Sequence, residues 1–125
     1  MGNNAMRVSE ILDLPKNFIA FRVVIEGLFV MEGGVGYFCE NVTEIGRGNR
    51  SILVNSENLE AQLLLCVPAY GGSKFSYCDS SRISGTLYNH AIGDFEFSIG
   101  DVDSFVVYKR DCPINVEIWK KGADA

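Results

Sequence analysis

The sequence predicts a mainly β domain, a small antiparallel Greek-key barrel with one helix between strands three and four. Three observations predict it. From Phe18 to Met31, apolar side chains recur at the odd positions Val23, Ile25, Phe29 and Met31, the period of a half-buried strand. One helical pattern, Leu59, Leu63, Cys66 and Val67, stands near the middle of the chain. Short strand-like segments punctuated by glycine or proline fill most of the remainder.

The elements follow in order, as one domain over 1–125 with 1–16 as an extension and 17–120 as the barrel. Val8 to Leu14 has helical spacing and stops at Pro15. The long first strand runs from Phe18 to Met31, with Arg22 and Glu26 in its mixed even set. Gly27 interrupts it where a side chain would pack, the mark of a bulge or sharp bend. Gly33-Gly34 supplies the positive φ of a hairpin, and Val35 to Ile45 returns as strand two. A polar loop, Gly46 to Arg50, leads to strand three at Ser51 to Val54. Asn55-Ser56-Glu57-Asn58 then offers capping side chains and an acid, so a helix of about three turns is expected from Ser56 to Val67, closed by Pro68. Its Leu59 and Leu63 should pack on Val23 or Ile25. Beyond Gly71-Gly72, strands are expected at Lys74 to Cys78, Arg82 to Asn89, Phe95 to Ile99, Phe105 to Lys109 and Ile114 to Trp119.

Composition bounds the function. The 125 residues hold 11 Lys+Arg against 16 Asp+Glu, a formal charge of −5, with 47% hydrophobic and 22% charged residues. This is the balance of a packed globular chain, not of a disordered or coiled-coil one, and its acidity weighs against affinity built on neutralising phosphates. No apolar run approaches the roughly 20 residues that span a bilayer, and no apolar segment follows a basic start as in a secretory signal, so a cytoplasmic, soluble chain is expected. Cys39, Cys66, Cys78 and Cys112 form no C-x-x-C pair and stand beside no second ligand type at zinc spacing. They are expected to be reduced structural thiols, with disulfides of an exported protein as the alternative. No metal or other cofactor is expected.

Candidate chemistry is sparse. His90 is the one histidine, without a G-x-S-x-G elbow or a cysteine-nucleophile motif, so a catalytic role is disfavoured. Asp94, Glu96, Asp101 and Asp103 form the densest acidic stretch. Asp101-x-Asp103 lacks the remaining ligands of a calcium loop, and alternation with Phe95 and Phe97 places the acids outward, where they make a solvated face or a docking patch for a basic partner. Gly33, Gly34 and Gly36, like Gly71-Gly72-Ser73-Lys74, lack the helix that a phosphate loop opens. Arg22, Arg47, Arg50, Lys74 and Arg82 are candidate phosphate contacts, with Tyr37, Phe38, Phe75 and Tyr77 as candidate base-stacking residues. Alternation sets Lys74 on the opposite face from Phe75 and Tyr77, which weakens that platform.

Three strands, a helix, then further strands, with a long glycine-bent first strand and the stretch Val67-Pro68 … Gly71-Gly72 … Ile83-Ser84-Gly85-Thr86-Leu87, resemble the OB fold over Phe18 to Trp119. The resemblance implies a five-stranded Greek-key barrel plugged by the helix. After Leu87 the chain departs from it, with three strand segments where the fold needs one. The leading expectation is a non-catalytic bacterial-type binding protein of inhibitor or immunity type, contacting a protein partner through loops and the acidic face of Asp94, Glu96, Asp101 and Asp103. The alternative is a single-stranded nucleic-acid-binding barrel using the basic set.

Overall fold

The structure, a computed structural model, describes residues 5–68 and 75–116. Lys74, the Gly71-Gly72 turn and the end of the Ile114 to Trp119 strand lie outside the described residues.

The elements are β1 (Met6–Arg7), α1 (Val8–Leu12), β2 (Ala20–Glu32), β3 (Val35–Cys39), β4 (Ser51–Val54), α2 (Leu59–Cys66), β5 (Tyr77–Tyr88), β6 (Phe97–Lys109) and β7 (Cys112–Asn115). Hydrogen bonds run β2 to β3, β3 to β4, β4 to β6, β6 to β5 and β5 back to β2, so these five strands form a closed ring. The sheet is mixed rather than antiparallel: β4 pairs β6 in parallel, Ile52 opposite Phe97, and β1 pairs β2 in parallel. Parity requires the first exception. Directions that alternate around a ring must repeat once when the number of strands is odd, and the chain between β4 and β6 is long enough for the crossover that a parallel pair needs.

Inward side chains of all five ring strands meet in one core. Phe29, Phe38 and Phe105 pack as a triangle, with ring centroids 5.1 to 5.9 Å apart. Val23, Ile25, Phe29 and Met31 are buried, as the odd-position alternation of β2 requires. Leu59 and Leu63 of α2 join the same cluster as Val23 and Ile25. The helix has eight residues rather than about twelve, because Asn58 enters it from a left-handed conformation at φ +60°. At its far end Val67 N–H donates to the Leu63 carbonyl, and the buried Tyr77 hydroxyl donates to Val67 O at 2.8 Å, fixing the helix to β5.

Several expected boundaries shift for identifiable reasons. Gly27 is not a bulge, since β2 and β5 pair without interruption from Ala20↔Tyr88 to Met31↔Tyr77. It stands instead where the other edge of β2 changes partner from β1 to β3. A Cβ there would lie 2.9 Å from Cys39 O and 3.0 Å from Val8 Cγ2. β3 ends at Cys39, not Ile45, because Asn41 accepts from Thr43 N–H and turns the chain into a short 3-10 segment. Leu28 and Val30 of β2 with Tyr37 and Cys39 of β3 form a second apolar cluster on the outer face, covered by Ile45 and Phe95. Phe95 therefore faces away from Phe97, and β6 begins only at Phe97.

The strands expected at Phe95 to Ile99 and Phe105 to Lys109 are one bent strand. Between the pairs Thr86↔Gly100 and Ser84↔Ser104, β6 spends two more residues than β5, a bulge formed by Asp101, Val102 and Asp103 opposite Gly85. Gly85 is required there, since a Cβ would come within 2.5 Å of Gly100 O.

β1 pairs with the edge of β2, α1 buries Val8 and Ile11 in the main core, and Glu40 ties both elements down. Its carboxylate accepts from Ser9 N–H at 2.9 Å and from the Arg7 guanidinium. Burial alone would raise the Glu40 pKa, but these two donors outweigh it and hold the group below its ordinary value. A depressed carboxylate contributes stability above its unfolded pKa and loses it as pH falls through the folded one. Glu40→Gln is therefore expected to lower the urea midpoint at pH 7 and to converge with the parent as pH falls through the depressed Glu40 pKa. A constant gap across that range would show that the ionised form is not what holds these elements.

Candidate functional site

Each acidic residue singled out in the sequence is exposed, and three of the four are engaged. Glu96 accepts from Lys16 Nζ at 2.9 Å, and Lys16 also lies 5.5 Å from the centre of the Phe97 ring. Asp103 Oδ2 accepts from Arg22 Nη2 at 2.6 Å. Asp101 takes the Tyr88 hydroxyl on Oδ2, and that hydrogen bond to a carboxylate raises the Tyr88 pKa. Asp94 packs over Gly48, whose added Cβ would meet the Asp94 Cβ at 2.7 Å.

The basic set does not converge. Arg22, on β2, ties down the bulge: besides Asp103 it donates to Asp101 O at 3.0 Å and Thr86 Oγ1 at 3.1 Å. Arg22 and Asp103, one from the nucleic-acid set and one from the docking set, thus hold each other, and this juxtaposition across the sheet gave no signal in local sequence. Arg82 lies 3.3 Å from Glu26 across the β2–β5 pair, and Arg50 3.8 Å from Glu44 in the loop before β4. Arg47 is exposed in the same loop. The aromatic residues proposed for stacking are not a surface: Phe38 and Tyr77 are wholly buried, Tyr37 is buried under Phe95, and Phe75 is partly buried against the same cluster. Burial raises the Tyr37 pKa despite the hydrogen bond that Gly46 N–H donates to its hydroxyl.

His90 is exposed just after β5. Among the described residues, no group of three or more His, Cys, Asp and Glu is placed to hold a metal ion. All four cysteines are free. Burial pushes the Cys39 thiol up to about 12, so it stays protonated and inert. Cys39 and Cys78 are separated by the whole width of β2, about 9.5 Å between their strands, beyond the Cα separation a disulfide allows.

The feature that sequence reasoning missed is the outer face of α2. Leu64 and Leu65 are 57% and 82% exposed, whereas Gln62 is turned inward and buried. Beside the first turn of this helix runs a groove of about 440 Å³, bordered by Val35 of the β2–β3 hairpin, Leu53, Glu60 and Ala61. The helical spacing did mark Leu59 and Leu63 as core-facing, but it said nothing of Leu64 and Leu65, which lie off that stripe. Exposed apolar side chains grouped on one element, with an acid at the rim, can bury area against a partner and favour a basic one. No helix of the described residues is long and apolar enough to cross a membrane. Comparison with protein-family models, characterised proteins and solved structures returns no match.

Proposed function

We propose that the strand ring is an OB-type Greek-key barrel and that the chain is a non-catalytic binding protein, of inhibitor or immunity type, acting on a basic protein partner. The exposed Leu64–Leu65 pair on α2 carries this reading, because a chain of net charge −5 gains nothing in solubility from two leucines turned to water. Glu60 at the first turn of the same helix and the exposed carboxylates Asp94, Glu96, Asp101 and Asp103 give the partner's basic groups a complementary field.

The test uses the intact chain as bait, then a binary complex rebuilt from the purified partner. Leu65→Ser is expected to weaken that complex at least about tenfold, since it removes an apolar anchor and leaves a hydroxyl without a partner in the interface, while thermal stability stays near the parent's. A partner bound equally by parent and variant would move the interface elsewhere.

The strand order, with α2 between the third and fourth ring strands, also favours the nucleic-acid alternative. In that reading Arg47→Ala and Arg50→Ala should weaken binding to single-stranded DNA or RNA, and affinity should fall steeply between two salt concentrations. Two facts oppose it. The outer face of ring strands one and two is filled by Ile45 and Phe95, and Arg22, Arg50 and Arg82 each face a carboxylate.

A further inference from the structure

Next to the β6 bulge lies a cleft of about 330 Å³ whose walls include Tyr88, His90, Asn55, Ser98 and Asp101. This is the small end of the range of ligand sites, the size for a short ligand or one inserted side chain. Its polar lining is rich in acceptors. Asn55 and Gly100 both line the cleft, with the Asn55 carbonyl oxygen 3.4 Å from where a Cβ on Gly100 would stand. Ser98, 2% exposed, lines the cleft, and its hydroxyl can turn to whatever occupies it. The Asp101 carboxylate uses Oδ2 for the Tyr88 hydroxyl and leaves Oδ1. The nearby Arg22 guanidinium is matched by Asp103, so the carboxylate of Asp101 is the local excess charge.

We propose that this cleft binds a primary ammonium group, the end of an aliphatic amine or of a lysine side chain, through Asp101, Ser98 and Asn55. One free carboxylate oxygen favours an ammonium over a guanidinium, whose planar fork gains most from two oxygens of one carboxylate. An ammonium carries three donors that can turn toward three separate acceptors. The cleft shares Asn55 with the groove beside α2 and Asp101 with the acidic field, but it uses neither Leu64 nor Leu65, so Asp101→Asn with a small amine and Leu65→Ser with the protein partner report on the two readings separately.

The test is an amide chemical-shift titration of the full chain with n-butylamine and, in a second arm, with a blocked Gly-Lys-Gly tripeptide. Saturable shifts centred on Asn55, Tyr88 and 98–101 are expected. Asp101→Asn should weaken the binding about tenfold while the Asn amide oxygen still accepts from Tyr88, and asparagine tolerates the left-handed φ of +47° at this position. Ser98→Ala should weaken it less, and Asp94→Asn should not change it. Tighter binding of the tripeptide assigns the site to a protein lysine, and tighter binding of the amine to a free ligand. Shifts that do not saturate, or that Asp94→Asn and Asp101→Asn reduce alike, would overturn the proposal by reducing it to diffuse attraction to an acidic surface.

Discussion

Leu63→Ala is expected to lower the unfolding free energy by about 2 to 5 kcal/mol, enough to move the thermal midpoint by roughly 10 °C in a chain of this size. Leu63 is wholly buried and shares its cluster with Val23, Ile25 and Phe29 from β2. The substitution removes methyl groups from that cluster and leaves a cavity. Its neighbours cannot close the cavity freely, because α2 is fixed at its far end by the Tyr77 hydroxyl on Val67 O. Leu64→Ala is the control, since that side chain is 57% exposed and its loss should cost well under about 1 kcal/mol. Equal effects of the two variants by denaturant unfolding would mean that the helix does not seat in the ring as described.

Gly85→Ala is the second large effect, expected to cost about 1 to 3 kcal/mol by overpacking and to loosen the bulge opposite it. The added methyl would stand 2.5 Å from Gly100 O, 3.1 Å from Ile99 Cγ1 and 3.3 Å from Val102 Cα. Two of these three are main-chain atoms, which cannot rotate aside as the tip of a side chain can, so β6 itself must move. That motion should show as faster amide hydrogen exchange over 100–104. Ser84→Ala, next door and without such crowding, should leave exchange there unchanged, and an equally small response from both variants would refute the account of the bulge.

These two residues also mark what local sequence discloses and what it hides. β2 was legible because its odd positions are apolar on a face that meets the core, and β4 because Ser51–Val54 is short and clearly bounded. β5 alternates just as strictly in burial, but two of its inward positions are Asp79 and Ser81. Polar residues on the buried face broke the pattern into two apparent strands. Only the fold supplies the partner that makes Asp79 tolerable there, Lys109 Nζ at 3.0 Å. The break between Lys109 and β7 was legible, but not its tightness: Arg110 and Asp111 both adopt left-handed φ, 51° and 66°, without a glycine to announce it, so β7 starts at Cys112 rather than Ile114. The candidate site followed the same rule: residue types named Asp101, Asp103 and Arg22, but their meeting at one bulge depends on pairing between β2, β5 and β6 that no local spacing encodes.

The odd number of strands in the ring also has a kinetic consequence. β2, β3 and β4 are sequential neighbours, but β4 waits for Phe97, Ser98 and Ile99 before its second edge is covered. During synthesis the first half of the chain therefore leaves the ribosome as an open sheet with an unpaired edge at Ile52 to Val54, and the ring shuts only when β6 arrives. Such distant pairing should place folding on the slow side for a chain of this length, in milliseconds to seconds rather than microseconds. It also makes a fragment ending before Phe97 an aggregation-prone strand donor rather than a smaller folded version of the protein.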